Sequence, residues 1–486
     1  MTQRMTAPGH MKQTREIQNF GRNLCFKPRW IHAPTSESEL RAILLEHKDG
    51  KVRVVGSRHS WSDAIRTEDT LIDMGHFQHV RVNEQNGRSH VTVGAGCQIK
   101  RLLAALNKEG LTIPSLGLVT EQTIAGAVAT GTHGSGKHSL SHYVRSLRLM
   151  CFDETGESPQ IVEISDGIGL QAARCSLGCL GIVVELTLPC VPQYFVQEKV
   201  TWCETIEDVL ALEKDAPLLQ THLLPHRWSF AVMERSVAAE PRRRRFAALY
   251  RLYWFLNFDV GMHLLIKLFA SVLRSRRLVH LLFSWIVPAC AFTRWVVVDR
   301  SDRALVMEHE LFRHLELEVF VVRSRLVEAA GFVEDILRLA DDASYQLPTK
   351  THEKLQTAGL LDSLAPIKGT FTHHYPITFR RILPDDTLIS MASGSVEDCY
   401  AISLITYVEP REEFFSLATF LSNSMCELFH ARIHWGKWFP QTGEQVNQLY
   451  PQLDEFRDVC YRFDPNGVFR NEFVVEKLGP WENEAI

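Results

Sequence analysis

Val54-Val55-Gly56-Ser57-Arg58-His59-Ser60 carries a β-branched strand into a tight turn of small and polar residues. Consecutive backbone N–H groups in such a turn form a nest that suits a pyrophosphate. The stretch is not the Rossmann fingerprint, because GxGxxG is absent, and not a Walker A loop, because GxxxxGK[ST] is absent. Taken alone it also fits an ordinary strand–turn–strand. A second stretch, Thr123-Ile124-Ala125-Gly126-Ala127-Val128-Ala129-Thr130-Gly131-Thr132-His133-Gly134-Ser135-Gly136, holds four glycines, three threonines and three alanines in fourteen residues. That density lets a flat or phosphorylated ligand approach the backbone. It also permits a turn to pack tightly on a sheet.

Around these two stretches the chain reads as α+β. Ser36 is a polar N-cap, Glu37 and Glu39 fill the first turn, and Leu40, Ile43 and Leu44 share a face, predicting a helix. Strands are predicted at Lys51–Gly56, Thr70–Met74, His90–Gly94, Ser146–Phe152, Gln160–Ile164 and Gly181–Leu188. Ile99–Glu109 has helical spacing, and Gly110 stops it. Three parts follow: 1–195, rich in glycine turns; 196–440, with longer elements and an apolar insertion at 236–300; and 441–486, which carries the turn Asp464-Pro465-Asn466-Gly467.

The chain has 486 residues and a formal charge of −4, which argues against a nucleic-acid binder held by a broad basic surface. Hydrophobic residues make up 45% and charged residues 23%, so a mostly disordered chain is excluded. The 11 cysteines include no CxxC pair, hence neither a disulfide framework nor a zinc ribbon is read. His373 and His374 would point to opposite faces of a strand, and no metal site is expected. Residues 1–15 lack an apolar signal core, so the cytoplasm is the default. Within 242–292, a basic run, Arg242–Arg245, precedes a segment rich in Leu, Phe, Trp and Tyr. Its longest uncharged stretch, Leu278–Thr293, is too short to span a bilayer. Either it forms buried or partly buried helices of the second domain, or it is a patch for peripheral membrane contact.

Five stretches, taken in order, resemble one known family. They are Val55–Ser60; Gln122–Gly126 continuing to Thr132–Gly136; Ser176–Glu185; His434-Trp435-Gly436-Lys437; and Asp464–Asn471. The resemblance is to flavin-dependent oxidases of the vanillyl-alcohol-oxidase fold, in the sugar-1,4-lactone oxidase and alditol oxidase branch. It implies a two-part FAD-binding domain of the PCMH type, a substrate cap, and a C-terminal segment that returns to the FAD domain. It also implies covalent attachment of FAD through His59. Implied cofactor contacts are Val55, Gly56, Ser57, Arg58, His59, Ser60, Gly117, Thr123, Gly126, Thr130, Thr132, His133, Gly134, Gly136, Ile182, Val183 and Lys437.

Implied catalytic residues are Lys437, near the flavin or the substrate hydroxyl; His434, orienting the site; and Arg380, from a Glu-x-Arg pair on a cap strand. In that pair Thr378 replaces the glutamate. A threonine cannot accept a proton at neutral pH. Either the substrate differs, or another acid such as Glu318 contributes. Thr406 is a further candidate. The reaction implied is hydride transfer from a CH–OH carbon of a sugar lactone, alditol or related polyol to flavin N5. Reoxidation follows by oxygen or another acceptor. The alternative is a flavin-binding homologue with lost or altered catalysis, serving as an interaction or membrane-associated protein.

Overall fold

Ser36 accepts the Glu39 N–H and so starts the helix Glu37–Glu46, whose Leu40 and Leu44 are buried. The computed structural model of the protein describes residues 15–240, 246–291, 293, 295–307 and 311–481. The basic run Arg242–Arg245 lies outside the described residues.

A small parallel sheet orders Trp30–His32, Thr70–Asp73 and Val52–Val55, with Thr70–Asp73 in the centre. A five-stranded antiparallel sheet runs Pro159–Ile164, Ser146–Phe152, Ile182–Pro189, Arg88–Gly94 and Val80–Gln85. The helix Ile99–Lys108 buries Ile99, Leu102, Leu103 and Leu106, one stripe at helical spacing. The helix Ile124–Ala129 turns part of the glycine-rich stretch from loop into helix. Gly110 and Gly467 both have positive φ, as their turns require.

The largest sheet has eight strands in the order Val297–Arg300, Phe195–Cys203, Ser229–Val237, Gln220–Leu224, Ile377–Ile382, Cys399–Tyr407, His314–Val322 and Arg432–Ile433. Alternation along a strand assigns the two faces of this sheet different work. Leu315, Leu317, Val319, Leu223, Val232 and Phe379 belong to the main core with helices Leu326–Asp341 and Glu412–Phe429. The intervening residues face a cavity.

Near the C-terminus, Val52 N–H donates to Val468 O (2.8 Å), and Arg53 reaches Phe469 O (2.5 Å). Asn471 Nδ2 donates to Asp63 O and Arg66 O. Ala247–Val272 forms one long helix, apolar enough by length and composition to cross a membrane despite Arg251, Asp259 and Lys267. Tyr250, Met262 and Ile266 are buried on one side, while Leu249, Leu256, Leu264, Leu268 and Val272 are exposed. The segment is therefore neither a buried core helix nor a uniformly exposed one. All eleven cysteines are free.

Candidate active site

Two cavities meet at Gln122, His434 and Lys437. The first is a groove walled by three backbone segments, 52–60, 123–130 and 176–183. Arg58 has φ +58°, so the chain after Gly56 turns through the left-handed region, the backbone alternation that builds a nest of N–H groups. A Cβ on Gly56 would strike the Thr123 hydroxyl, so glycine lets the two signature stretches close on each other. His59 lines the groove and stacks on Phe20, centroids 4.8 Å apart. A narrow groove of backbone and small side chains, closed at one end by a lysine, fits a dinucleotide such as FAD.

The second cavity, about 540 Å³, is floored by the cap sheet. Register builds its central row: Trp202 pairs with Ala231, Ala231 with His222, His222 with Thr378, Thr378 with Ser403, and Ser403 with Glu318. His222 Nδ1 lies 3.1 Å from Thr378 Oγ1. Ser403 Oγ donates to Glu318 Oε1 at 2.6 Å, and His133 Nε2 and Arg380 Nη1 lie 3.5 and 3.9 Å from that same oxygen. Burial pushes the Glu318 carboxyl up; His133 and Lys437 outweigh it and hold it well below the ordinary range. Glu316, two residues earlier on the same face, accepts from Lys437 Nζ. Burial opposes its ionisation too, but the Lys437 ammonium holds it at about 2. Burial lowers His434 to about 3, so the ring is neutral, and its Nδ1 accepts the Gly436 N–H at 3.0 Å.

Val55, Gly56, Ser57, Arg58, His59, Ser60, Thr123, Gly126, Thr130, Ile182, Val183 and Lys437 line the groove. Lys437, Arg380, His434, Thr378 and Glu318 line the large cavity. Thr132 and His133 also line the large cavity and not the groove. Gly117, Gly134 and Gly136 line neither. A Cβ on Gly134 would strike Leu116 O and one on Gly136 would strike Pro217 O, so these glycines serve close packing. Thr406 is buried against His374 Nε2 (2.9 Å), outside both cavities. Sequence reading missed Glu316, His222 and Trp61. A signal was present in Glu316-x-Glu318 and Gln220-x-His222, where polar groups recur every second residue inside strands.

A family described as FAD binding domain matches residues 28–157, and one described as D-arabinono-1,4-lactone oxidase matches residues 186–477. The chain belongs to the D-arabinono-1,4-lactone oxidase family. It is 46% identical over 470 residues to a long-chain alcohol oxidase from an uncultured marine euryarchaeote, covering 96% of this chain and 98% of that one. It is 28% identical over 465 residues to L-gulonolactone oxidase of Mus musculus, covering 94% and 97%. Cholesterol oxidase from B. sterolicum superposes with a TM-score of 0.69 at 14% identity over 96% of each chain, a likeness of fold. This family member has the vanillyl-alcohol-oxidase fold and is an FAD-dependent oxidoreductase acting on a CH–OH group.

Proposed function

We propose that the enzyme oxidises the CH–OH carbon of a lipophilic, long-chain alcohol to the carbonyl. One observation carries the reading. The inner side of the 236–300 insertion contributes Tyr250, Phe255, Phe258, Met262, Val287 and Ala291 to the wall of the cavity that ends at Lys437. Thr378 occupies the sheet position where the family resemblance implies a carboxylate. An alkyl chain gains about 0.8 kcal/mol for each CH₂ that such a wall removes from water. A sugar lactone is the second reading, supported by Arg380, Gln220 and His222 on the opposite wall and by the 28% identity to L-gulonolactone oxidase.

Held in the groove, FAD would supply the hydride acceptor, N5, for the substrate carbon, with oxygen or another acceptor to reoxidise it. His59, on the groove wall, is the residue we assign to covalent attachment of the cofactor. His133 Nε2 faces Glu318 Oε1 at 3.5 Å. We assign the hydroxyl proton to the Glu318 carboxylate, the ionised acid of the large cavity, with His133 holding it in place. Lys437 supplies fixed positive charge at the junction of the cavities. The assigned parts are a flavin-binding unit, 1–195, closed by 441–486, and a cap, 196–440. The exposed leucines of Ala247–Val272, with Arg274, Arg276 and Arg277 beyond them, suit peripheral contact with a membrane holding the substrate.

The test is anaerobic flavin bleaching with a 1-alkanol series set against sorbitol, xylitol, gulonolactone and arabinonolactone. Long-chain alkanols should bleach fastest. Faster bleaching by a polyol or simple lactone refutes the lipophilic substrate.

A further inference from the structure

Away from both cavities, three ligand-type side chains converge where the insertion meets the cap. His226 lies in the turn after the strand Gln220–Leu224, His280 on the helix Arg276–Leu281, and Asp341 at the end of the helix Leu326–Asp341. One ligand atom from each lies within 4.8 Å of the others. His226 Nδ1 and His280 Nε2 are 3.7 and 2.7 Å from the same carboxylate oxygen, Asp341 Oδ2. Bonds of about 2.0–2.1 Å to a tetrahedral Zn²⁺ set ligand atoms roughly 3.4 Å apart, so small side-chain movements close the site.

Each ligand is oriented by a bond on its far side, the outer support that metal-binding imidazoles and carboxylates characteristically have. His226 Nε2 donates to His373 O at 2.8 Å, which leaves Nδ1 with its lone pair turned inward. Asp341 Oδ1 accepts from Thr372 Oγ1 at 2.6 Å, which leaves Oδ2 available. His280 Nε2, although 2.7 Å from Oδ2, makes no hydrogen bond to it, so the nitrogen does not aim along that line. A cation shared by both atoms would lie off that line, which this geometry allows. The His226 and His280 rings stack with centroids 4.1 Å apart, presenting their nitrogens side by side.

We propose that His226, His280 and Asp341 bind one divalent cation of the zinc type. Two imidazoles and one carboxylate suit zinc and its first-row neighbours, whereas magnesium and calcium prefer all-oxygen sites. The half-exposed His280 ring borders the site, whose ligating nitrogen is itself buried, and a fourth position would be filled by water. The cation fastens the helix that carries His280 to the cap. Val287 and Ala291, which follow on the same insertion, line the large cavity, so the metal fixes the wall that receives the substrate.

The experiment uses the full-length, tag-free, flavin-loaded protein, stripped with a chelator and titrated with Zn²⁺, then with Co²⁺ as an optical probe. One cation per chain is expected, with the intense visible d–d bands of a low-coordinate Co²⁺ site. His280→Ala should abolish this binding. Thr372→Val, which removes only the outer support of Asp341, should weaken it roughly 10- to 100-fold. Flavin absorbance should be unchanged in both variants, reporting that they fold. Absence of stoichiometric uptake by the wild type overturns the site. So does Co²⁺ binding by His280→Ala equal to the wild type.

Discussion

The Lys437 ammonium donates to Glu316 Oε2 while lying 4.3 Å from the centre of the Trp61 ring. Lys437 follows the edge strand Arg432–Ile433, Glu316 sits on the strand that pairs with it, and Trp61 follows the turn Val54–Ser60. The pair thus sits at the junction of the groove and the large cavity, both of which Lys437 lines. Lys437→Met should slow flavin reduction by about 100-fold, or roughly 3 kcal/mol, with FAD binding retained. It should also cost up to about 3–5 kcal/mol of stability, because buried Glu316 keeps only His314, 3.7 Å away, as a partner. Adding Glu316→Gln should restore the melting temperature and not the rate. Stopped-flow reduction and calorimetry separate the two effects.

His59 lines the flavin groove, face to face with Phe20. Denatured wild-type protein should show one added FAD by intact mass. His59→Ala should show none, while native His59→Ala retains dissociable flavin. An unmodified mass in active wild-type protein would contradict the attachment.

Thr378→Glu places a carboxylate between His222 and Ser403, on the row that leads to Glu318. A charge-assisted hydrogen bond contributes about 1.5–3 kcal/mol, so kcat/KM for xylitol or gulonolactone should rise roughly 10- to 100-fold. Activity on dodecanol should fall. Steady-state kinetics on both substrates decides this, and no change in either would show that Thr378 does not set specificity.

Burial holds His374 neutral in the fold, its pKa lowered from 6.5 to about 4. The unfolded chain takes up a proton below about pH 6.5, and the native protein does so only near 4. Stability should therefore fall as pH drops through this window, with a contribution of about 1.4 kcal/mol per pH unit from this residue. His374→Asn should flatten the dependence of melting temperature on pH across that interval, even though it lowers the temperature at pH 7.

Leu256 and Leu264 are exposed on the outer side of the long insertion helix. Each apolar side chain of this kind gains about 1.5–3 kcal/mol on burial. Leu256→Glu with Leu264→Glu should reduce co-sedimentation with phosphatidylserine vesicles by more than ~10-fold, leaving turnover of a soluble short-chain alcohol unchanged. Equal sedimentation of variant and wild type would remove the membrane contact.

Local physics made much of this protein legible in advance. Ser36 as N-cap, Gly110 as helix stop, and the strand–turn Val54–Ser60 follow from side-chain chemistry within a few residues, and the structure has each of them. The motif order from Val55 to Asn471 gave the flavin-oxidase family, because backbone-hugging turns tolerate few side chains and so keep recognisable sequences. Only the tertiary structure decided which small residues hug a ligand and which hug protein. Gly126 and Gly136 look alike in sequence, yet only the first faces the groove. Only the fold, too, brought His222, Thr378 and Glu318 into one row and His226, His280 and Asp341 to one point. The period of a strand tells which residues share a face. Which strands become neighbours, and in what register, is set by packing between segments up to hundreds of residues apart, and no local pattern encodes that.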